Sequence, residues 1–424
     1  MSFPFPGRIL PIAPGTFRAL RHRNFRLLWL GQGASLMGSW MQSTAQGWLV
    51  LRLTDSPFML GVVGFCTFSP VLLFGLVAGV TADRVPRRAA LLWTQGTMLA
   101  MAAILTVLTA LGRVEAWHVA LLAFGVGTAG AFDIPIRQSL LQDLVGREDL
   151  PNAIALNSLA FNGARLAGPA VAGLLLTMSG EALVFGLNAA SYLAILVSLM
   201  LIRLPATTGG DATPPQPWVA SMLEGLRFAL RTPPVRVILG LVVISSIFGS
   251  PYTILMPVFA RDVLDAGARG LGLLMGASGM GATFGALYLA QRTTSRRSGG
   301  IIARALALFG ASLIAFALST SFGVSVALLT LVGGGLMVQM ATSNTLLQLM
   351  SPAHLRGRII SLYMLAFVGM APFGSLLAGT VARRFGASWS VGIGGTVCLL
   401  AAAWFATRLP GLRRAAQQAL SNEA

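Results

Sequence analysis

Twelve apolar segments of 21 to 27 residues run from residue 26 to residue 407 with one long interruption, 204–234, each bounded by charges or turn residues. They cover 26–51, 57–82, 89–112, 117–141, 152–178, 182–203, 235–260, 270–291, 300–320, 322–348, 359–382 and 386–407. About 20 apolar residues wound as a helix span the hydrocarbon of a bilayer. Inside lipid only helices and closed barrels satisfy every backbone N–H and C=O. The runs are continuous, without the period-2 alternation of a barrel strand, so helices are expected. The chain reads as an all-α integral membrane protein with twelve transmembrane helices. Charged residues make up 10% of the 424, against about 25% in a soluble chain, which excludes a soluble enzyme.

The formal net charge of +17 comes from arginine alone, because the chain has no lysine. A phosphate-cradling GxxxxGKS/T loop and a lysine Schiff base are therefore both excluded. His22, His118 and His354 are scattered, and Cys66 and Cys398 sit inside apolar runs. No HExxH or CxxC occurs, so no metal site, cofactor or disulfide framework is expected. The amino end has no apolar core before a small-residue cleavage site, so no signal peptide is expected.

Loops rich in arginine stay on the cytoplasmic side. With both termini and the long central linker on one side, that side receives 23 of the 30 arginines and the other side six, Arg165 lying within a span. Both termini are thus expected in the cytoplasm, and the protein in the cytoplasmic (inner) membrane as a multi-pass protein. The charge is a topology signal facing anionic lipid rather than nucleic acid. The expected organisation is a cytoplasmic segment 1–25, a six-helix half 26–203, a cytoplasmic linker 204–234, a second six-helix half 235–407 and a cytoplasmic tail 408–424. The linker is rich in Pro and Gly and ends in an amphipathic stretch, Met222 to Leu230, suited to the membrane surface.

A shift of 206 residues superposes the halves. Leu159-Ala160-Phe161 meets Leu365-Ala366-Phe367, and Gly163, Gly168 and Gly173 meet Gly369, Gly374 and Gly379. Leu140-Leu141-Gln142 meets Leu346-Leu347-Gln348. Six spans is an even number, so both halves enter the membrane in the same sense, as in a parallel-repeat transporter.

Between the second and third segments stands Gly79-Val80-Thr81-Ala82-Asp83-Arg84-Val85-Pro86-Arg87-Arg88. It resembles the GxxxDRxxRR loop of the major facilitator superfamily. Gly79 would admit a close neighbouring helix, and Asp83 would cap a facing helix and pair with Arg87. The matching loop of the second half, 291–300, has no acid. Asp133-Ile134-Pro135-Ile136-Arg137-Gln138 and the run from Asn152 to Pro169 extend the likeness. So do Arg23-Asn24-Phe25-Arg26 and Leu355-Arg356-Gly357-Arg358. Together they resemble the branch that holds the bacterial enterobactin exporter and drug-efflux proteins. The resemblance implies a twelve-helix carrier of two rocking halves, with Gly79, Asp83, Arg84, Arg87, Arg88, Asp133 and Arg137 as a cytoplasmic gate. It also implies a pathway lined by spans one, four, seven and ten.

Asp133 and Arg165 are the charges expected within the membrane, where charge is costly and usually functional. Asp133 reads as a charge relay of the gate, a proton carrier or a plain helix pair with Arg137 one turn on. It also stands where Arg84 or Arg87 would reach it. Arg165 reads as an anchor for an anionic or polar substrate, or as a side chain satisfied by carbonyls or water. Gln42 and Gln46 share a face at i,i+4. With Asn162, Asn188, Tyr252, Thr253, Gln339 and Asn344 they are pathway candidates, each equally suited to an interhelical hydrogen bond. Phe68, Met256, Met337 and Met340 suit packing or an adaptable apolar cavity.

The function expected is proton-coupled export of a siderophore or amphiphilic drug-like compound by a monomer. Import of another solute is the alternative. A membrane-embedded enzyme is disfavoured, since no constellation of acids, histidines or metal ligands is found.

Overall fold

The computed structural model describes residues 17–202, 218–292 and 298–421, without the side chains of 76, 80, 82–84, 147, 218–222 and 411–421. After a short 3-10 turn, Arg18–Arg21, come α1 (Arg23–Thr54), α2 (Pro57–Arg84), α3 (Arg87–Ala110) and α4 (Ala116–Leu201). Then follow α5 (Trp218–Arg231), α6 (Pro233–Ile244), α7 (Tyr252–Val258), α8 (Gly267–Ala290) and α9 (Gly299–Leu318). The chain continues with α10 (Phe322–Met350), α11 (Arg356–Met364), α12 (Ala371–Phe385) and α13 (Ala387–Ser421). π turns at Ser245–Gly249 and Phe259–Val263 flank α7, and a third, Leu365–Gly369, lies between α11 and α12.

Apolar composition makes these segments helices, and turn chemistry ends them. Pro57 and Pro233 occupy the first turns of α2 and α6, where a missing N–H costs nothing. Asp55 closes α1 in the left-handed region. Gly146 (φ 70°) and Gly180 (φ 74°) break the regular backbone of α4. Hydroxyls inside the spans bond back to carbonyls one turn earlier, as Thr67 does to Val63 at 2.8 Å and Ser375 to Ala371 at 2.8 Å. The outer surface is apolar: Trp93 is 80% exposed and Trp389 68%. A soluble protein hides such side chains, whereas a bilayer covers them.

Among the described residues ten helices are long and apolar enough to cross a membrane, where the sequence suggests twelve segments. Two features separate the numbers. Residues Glu148–Leu201 count as one helix of 54 residues, although it bends at Gly180. α1 has the length of a span but is more polar, with Gln32, Gln42, Gln46 and several hydroxyls along it. The amphipathic linker segment is longer than expected, forming α5.

α1, α2 and α3 pack around α4, while α9 packs on α10 and α13, and α8 on α10. These two groups meet along α4–α8 and α2–α12. Glycine makes both seams possible. A Cβ on Gly173 would stand 3.0 Å from the Cα of Gly272 and 2.8 Å from the carbonyl of Ala268. One on Gly61 would stand 2.6 Å from the carbonyl of Ser375. Such closeness is the small-residue packing of membrane helices. Both seams lie towards the end of the molecule that carries the α1–α2 turn. There Arg261 Nη1 donates to Asp55 Oδ1 at 2.6 Å and ties the groups together.

Candidate functional site

A cavity of about 230 Å³ lies between the two groups, inside the sealed end. α1 contributes Trp40, Ser43, Thr44, Gln46, Gly47 and Val50, and α2 contributes Leu60, Val63, Gly64, Thr67 and Phe68. α4 gives Arg165 and Pro169, and the α7 and α8 side gives Tyr252, Thr253, Ile254, Met256, Pro257, Leu274, Met275 and Ser278. The walls are mostly apolar, and Arg165 is their one charge. Its guanidinium carbon stands 5.9 Å from the ring centre of Trp40, and Tyr252 lines the same cavity. The carbonyl of Arg165 belongs to the α4–α8 seam, 2.8 Å from where a Cβ on Gly279 would stand. Among the described residues no carboxylate pairs with it. Tyr252 shares a 2.6 Å hydrogen bond with Ser278, which fixes its hydroxyl at the wall. Thr44 faces Met275 Sδ at 3.6 Å.

This cavity gathers Gln46, Arg165, Tyr252, Thr253, Phe68 and Met256. It does not gather the other candidates. Asn188 donates to Gln42 at 2.6 Å in a buried interhelical bond. Four residues turn a helix by about 400°, so Gln42 and Gln46 differ by about 40° and fall on opposite sides of the cavity edge. Asn162 bonds back to the Ser158 carbonyl at 2.8 Å, and Asn344 accepts from Gln348 at 3.2 Å. Gln339 is fully buried. The lining comes from spans one, two, five, seven and eight, so of the expected spans one, four, seven and ten only one and seven take part. Trp40, Thr44, Thr67, Met275 and Ser278 were not expected. Trp40, Thr44 and Gly47 follow Ser43 and Gln46 on a single face, but nothing in the sequence says which face meets the other half.

The opposite, arginine-rich end holds the gate candidates. Asp133 is 0% exposed. Its Oδ1 accepts from Gln95 Nε2 at 2.7 Å and Thr94 Oγ1 at 3.0 Å, and its Oδ2 pairs with Arg137 one turn on. Arg87 pairs with Asp143 and, among the described residues, not with Asp133. Arg88 Nη2 donates to the Met200 carbonyl at 2.7 Å. Asp143 was overlooked because it lies just past the expected end of the fourth segment at 141, where the helix continues, and belongs to no motif. Among the described residues a Cβ on Gly79 would meet nothing within 4 Å, so no close neighbour stands there in this conformation. The reason is geometric: both seams run at the other end, and here each group's cations find partners within their own group. The side chains of Asp83 and Arg84 lie outside the described residues.

Two helical groups joined at glycine seams around a central cavity define the fold of major facilitator transporters. The structure is similar to that of a peptide transporter POT, with TM-score 0.74 and 13% identity, covering 93% of this chain and 95% of that one. It is also similar to a bacterial homologue of the human lysosomal transporter Spinster in an inward-facing, unoccupied conformation, with TM-score 0.67, 13% identity and coverage of 96% and 98%. The chain belongs to the MFS_3 transmembrane secretion effector family, whose model matches residues 14–423. It is 26% identical to the staphyloferrin A transporter of Staphylococcus aureus over 376 residues, 88% of this chain and 93% of that protein. It is 25% identical to the multidrug efflux pump Tap of Mycolicibacterium fortuitum over 358 residues, 82% of this chain and 87% of that protein. It is 28% identical to the enterobactin exporter EntS of Shigella boydii over 365 residues, 84% of this chain and 85% of that protein. The protein is a multi-pass membrane transporter of a small molecule.

Proposed function

We propose that this protein exports a siderophore or an amphiphilic drug-like compound across the cytoplasmic membrane, as a monomer with twelve spans in two six-helix halves (26–203 and 235–407). Transport runs by alternating access in exchange for protons. The observation that carries the substrate class is the cavity itself: apolar and aromatic walls with one guanidinium, Arg165, and no acid. Such a site suits an amphiphile with an anionic group, held by Arg165 and stacked near Trp40. The named relatives are siderophore and drug transporters, which favours a carrier over an enzyme. Two sealed seams at one end and separately partnered cations at the other support rocking about the cavity. The excess of arginine at the unsealed end supports placing it, and both termini, in the cytoplasm.

Gly79, Asp83, Arg84, Arg87, Arg88, Asp133 and Arg137 are read as the gate at that end. Closing it would exchange the present pairs, Arg87–Asp143 and Arg137–Asp133, for contacts between the halves.

An efflux-deficient host expressing the chain tests the reading against a panel of siderophores and amphiphilic drugs, with and without a protonophore. Release of at least one anionic amphiphile, stopped by the protonophore, is expected. Net uptake overturns export, and indifference to the protonophore overturns proton coupling. Arg165→Ala is expected to abolish substrate binding at normal protein levels, with Arg165→Lys restoring part of it, because lysine lacks the planar fork. Wild-type binding by Arg165→Ala removes the anchor.

A further inference from the structure

A second cavity, about 380 Å³, opens on the outer face of the second half, between α8, α9 and α10. Its walls include Phe284, Leu308 and Leu331, which are 57%, 44% and 46% exposed, so it faces lipid rather than the cavity around Arg165. Tyr288 and Arg304 stand at one end of it. Arg292 lies over the Tyr288 ring at 4.7 Å. Arg304 spends its Nε on the Gly300 carbonyl at 3.1 Å and leaves its outer nitrogens to the groove. No acid is among the lining residues. The two arginines mark the arginine-rich end, where α8 stops and α9 begins. From Tyr288 back to Gly281, which also lines the groove, is seven residues, or about 10 Å along the helix. The hollow thus runs from a cationic mouth into the apolar zone.

The first half makes the same helix crossing and fills the space. In that half Gly127 of α4 lies against the Thr67 carbonyl of α2; in the second, Gly333 of α10 lies against the Ser278 carbonyl of α8. Seven residues beyond Thr67 is Phe74, and five beyond Gly127 is Phe132; their rings stack at 6.4 Å. The same steps from Ser278 and Gly333 reach Gly285 and Val338, which line the groove. Two phenyl rings are missing, and an arginine stands beside the gap. An apolar hollow open to the bilayer gains contact only when a chain fills it.

We propose that this groove binds one anionic phospholipid, with an acyl chain between α8, α9 and α10 and its phosphate on Arg304 and Arg292. The exposed apolar mouth in the bilayer and the unopposed positive charge select a lipid over a soluble phosphate.

Native mass spectrometry of the full chain, purified in mild detergent and offered phosphatidylglycerol or phosphatidylcholine of identical chains, tests this. One retained phosphatidylglycerol per protein is expected, favoured by about fivefold for each arginine engaged. Arg304→Gln should remove about fivefold of that preference. Val338→Phe, which copies the first half, should lower retention of the anionic lipid; Leu308→Trp fills the groove from α9 and serves if the first variant does not fold. Equal retention of the two lipids by the wild type overturns the proposal, as does undiminished preference in Arg304→Gln. Displacement by soluble glycerol phosphate overturns the acyl-chain part.

Discussion

In the first half the carboxylate of Asp133 is held by Thr94, Gln95 and Arg137. At the repeat-related place in the second half Gln339 lies just as deep, and neither of its amide atoms has a partner. Thr342 and Ser343, one turn on, are buried and unpartnered too. They stand where the first half has Ile136 and Arg137. The backbone crossings repeat faithfully while the side chains placed on them do not. The first half binds its polar interior into an ionic cluster. The second keeps neutral groups at the matching places, although each half also holds buried side-chain atoms without a partner, Gln32, Ser69 and Gln95 Oε1 in the first and Ser245 and Ser250 in the second. Among the described residues the second half alone carries π turns. One of these, Leu365–Gly369, matches the regular helix at Leu159–Gly163. π turns are frequent where helices must change shape at functional sites. The comparison shows two halves that share their crossings and differ in how the matching positions are filled, by a charge cluster in the first and by neutral groups in the second.

Removing charge from the first half should show the largest effect. Asp133→Asn leaves the half-buried Arg137 without a counterion, and thermal unfolding in detergent should show a loss of about 3 kcal/mol, the low end for a broken buried pair because Arg137 is 21% exposed. Gln339→Leu should be neutral or stabilising, by about 1 kcal/mol, since it removes an unsatisfied buried amide. If Gln339→Leu costs as much as Asp133→Asn, the contrast between the halves is false.

The seams offer a smaller, sharper test. Gly272→Val presses on Gly173 and the Pro169 carbonyl and should cost about 1 to 3 kcal/mol, measured by the same melts. Gly79→Val has room in this structure, so its melting temperature should hardly move, while transport falls because a neighbour arrives there when the gate closes. Normal transport by Gly79→Val would remove Gly79 from the gate.

Least in energy is the tie between Asp55 and Arg261. Asp55 is 78% exposed at the side chain, so Asp55→Asn should cost under about 1 kcal/mol. Labelling of a cysteine placed at Gln46 should nevertheless become faster from that end. Exchanging the two charges should restore the slow rate; no change in either variant would make the pair incidental.

The membrane class was readable from segment length and apolarity, because lipid leaves the backbone no alternative to hydrogen-bonded helices. The glycine-rich spans and the 206-residue repeat were equally plain. The pairs of the proposed gate were only half readable. Asp133 with Arg137 follows from i,i+4 spacing on one helix, and the structure has that pair. Arg87 with Asp143 joins residues 56 positions apart on different helices, and no local spacing reports that.

The sequence by itself determined what is local: that helices form, where Pro57 starts one and Gly180 bends another, which charges share a helix face, and which end collects arginine. Tertiary structure decided which face of each helix meets which neighbour. Gln46 reached the cavity and Gln42 did not, although both lie on one helix a turn apart. Tyr252 and Arg165 came together from different halves. The repeat predicted equal crossings, but only packing showed rings filling one groove and Gly285 leaving the other open. The physical reason is that a span is apolar nearly all round, so burial in lipid and burial in protein look alike in composition. Rotation of a helix about its axis is then set by close contacts between small residues, and those depend on the partner.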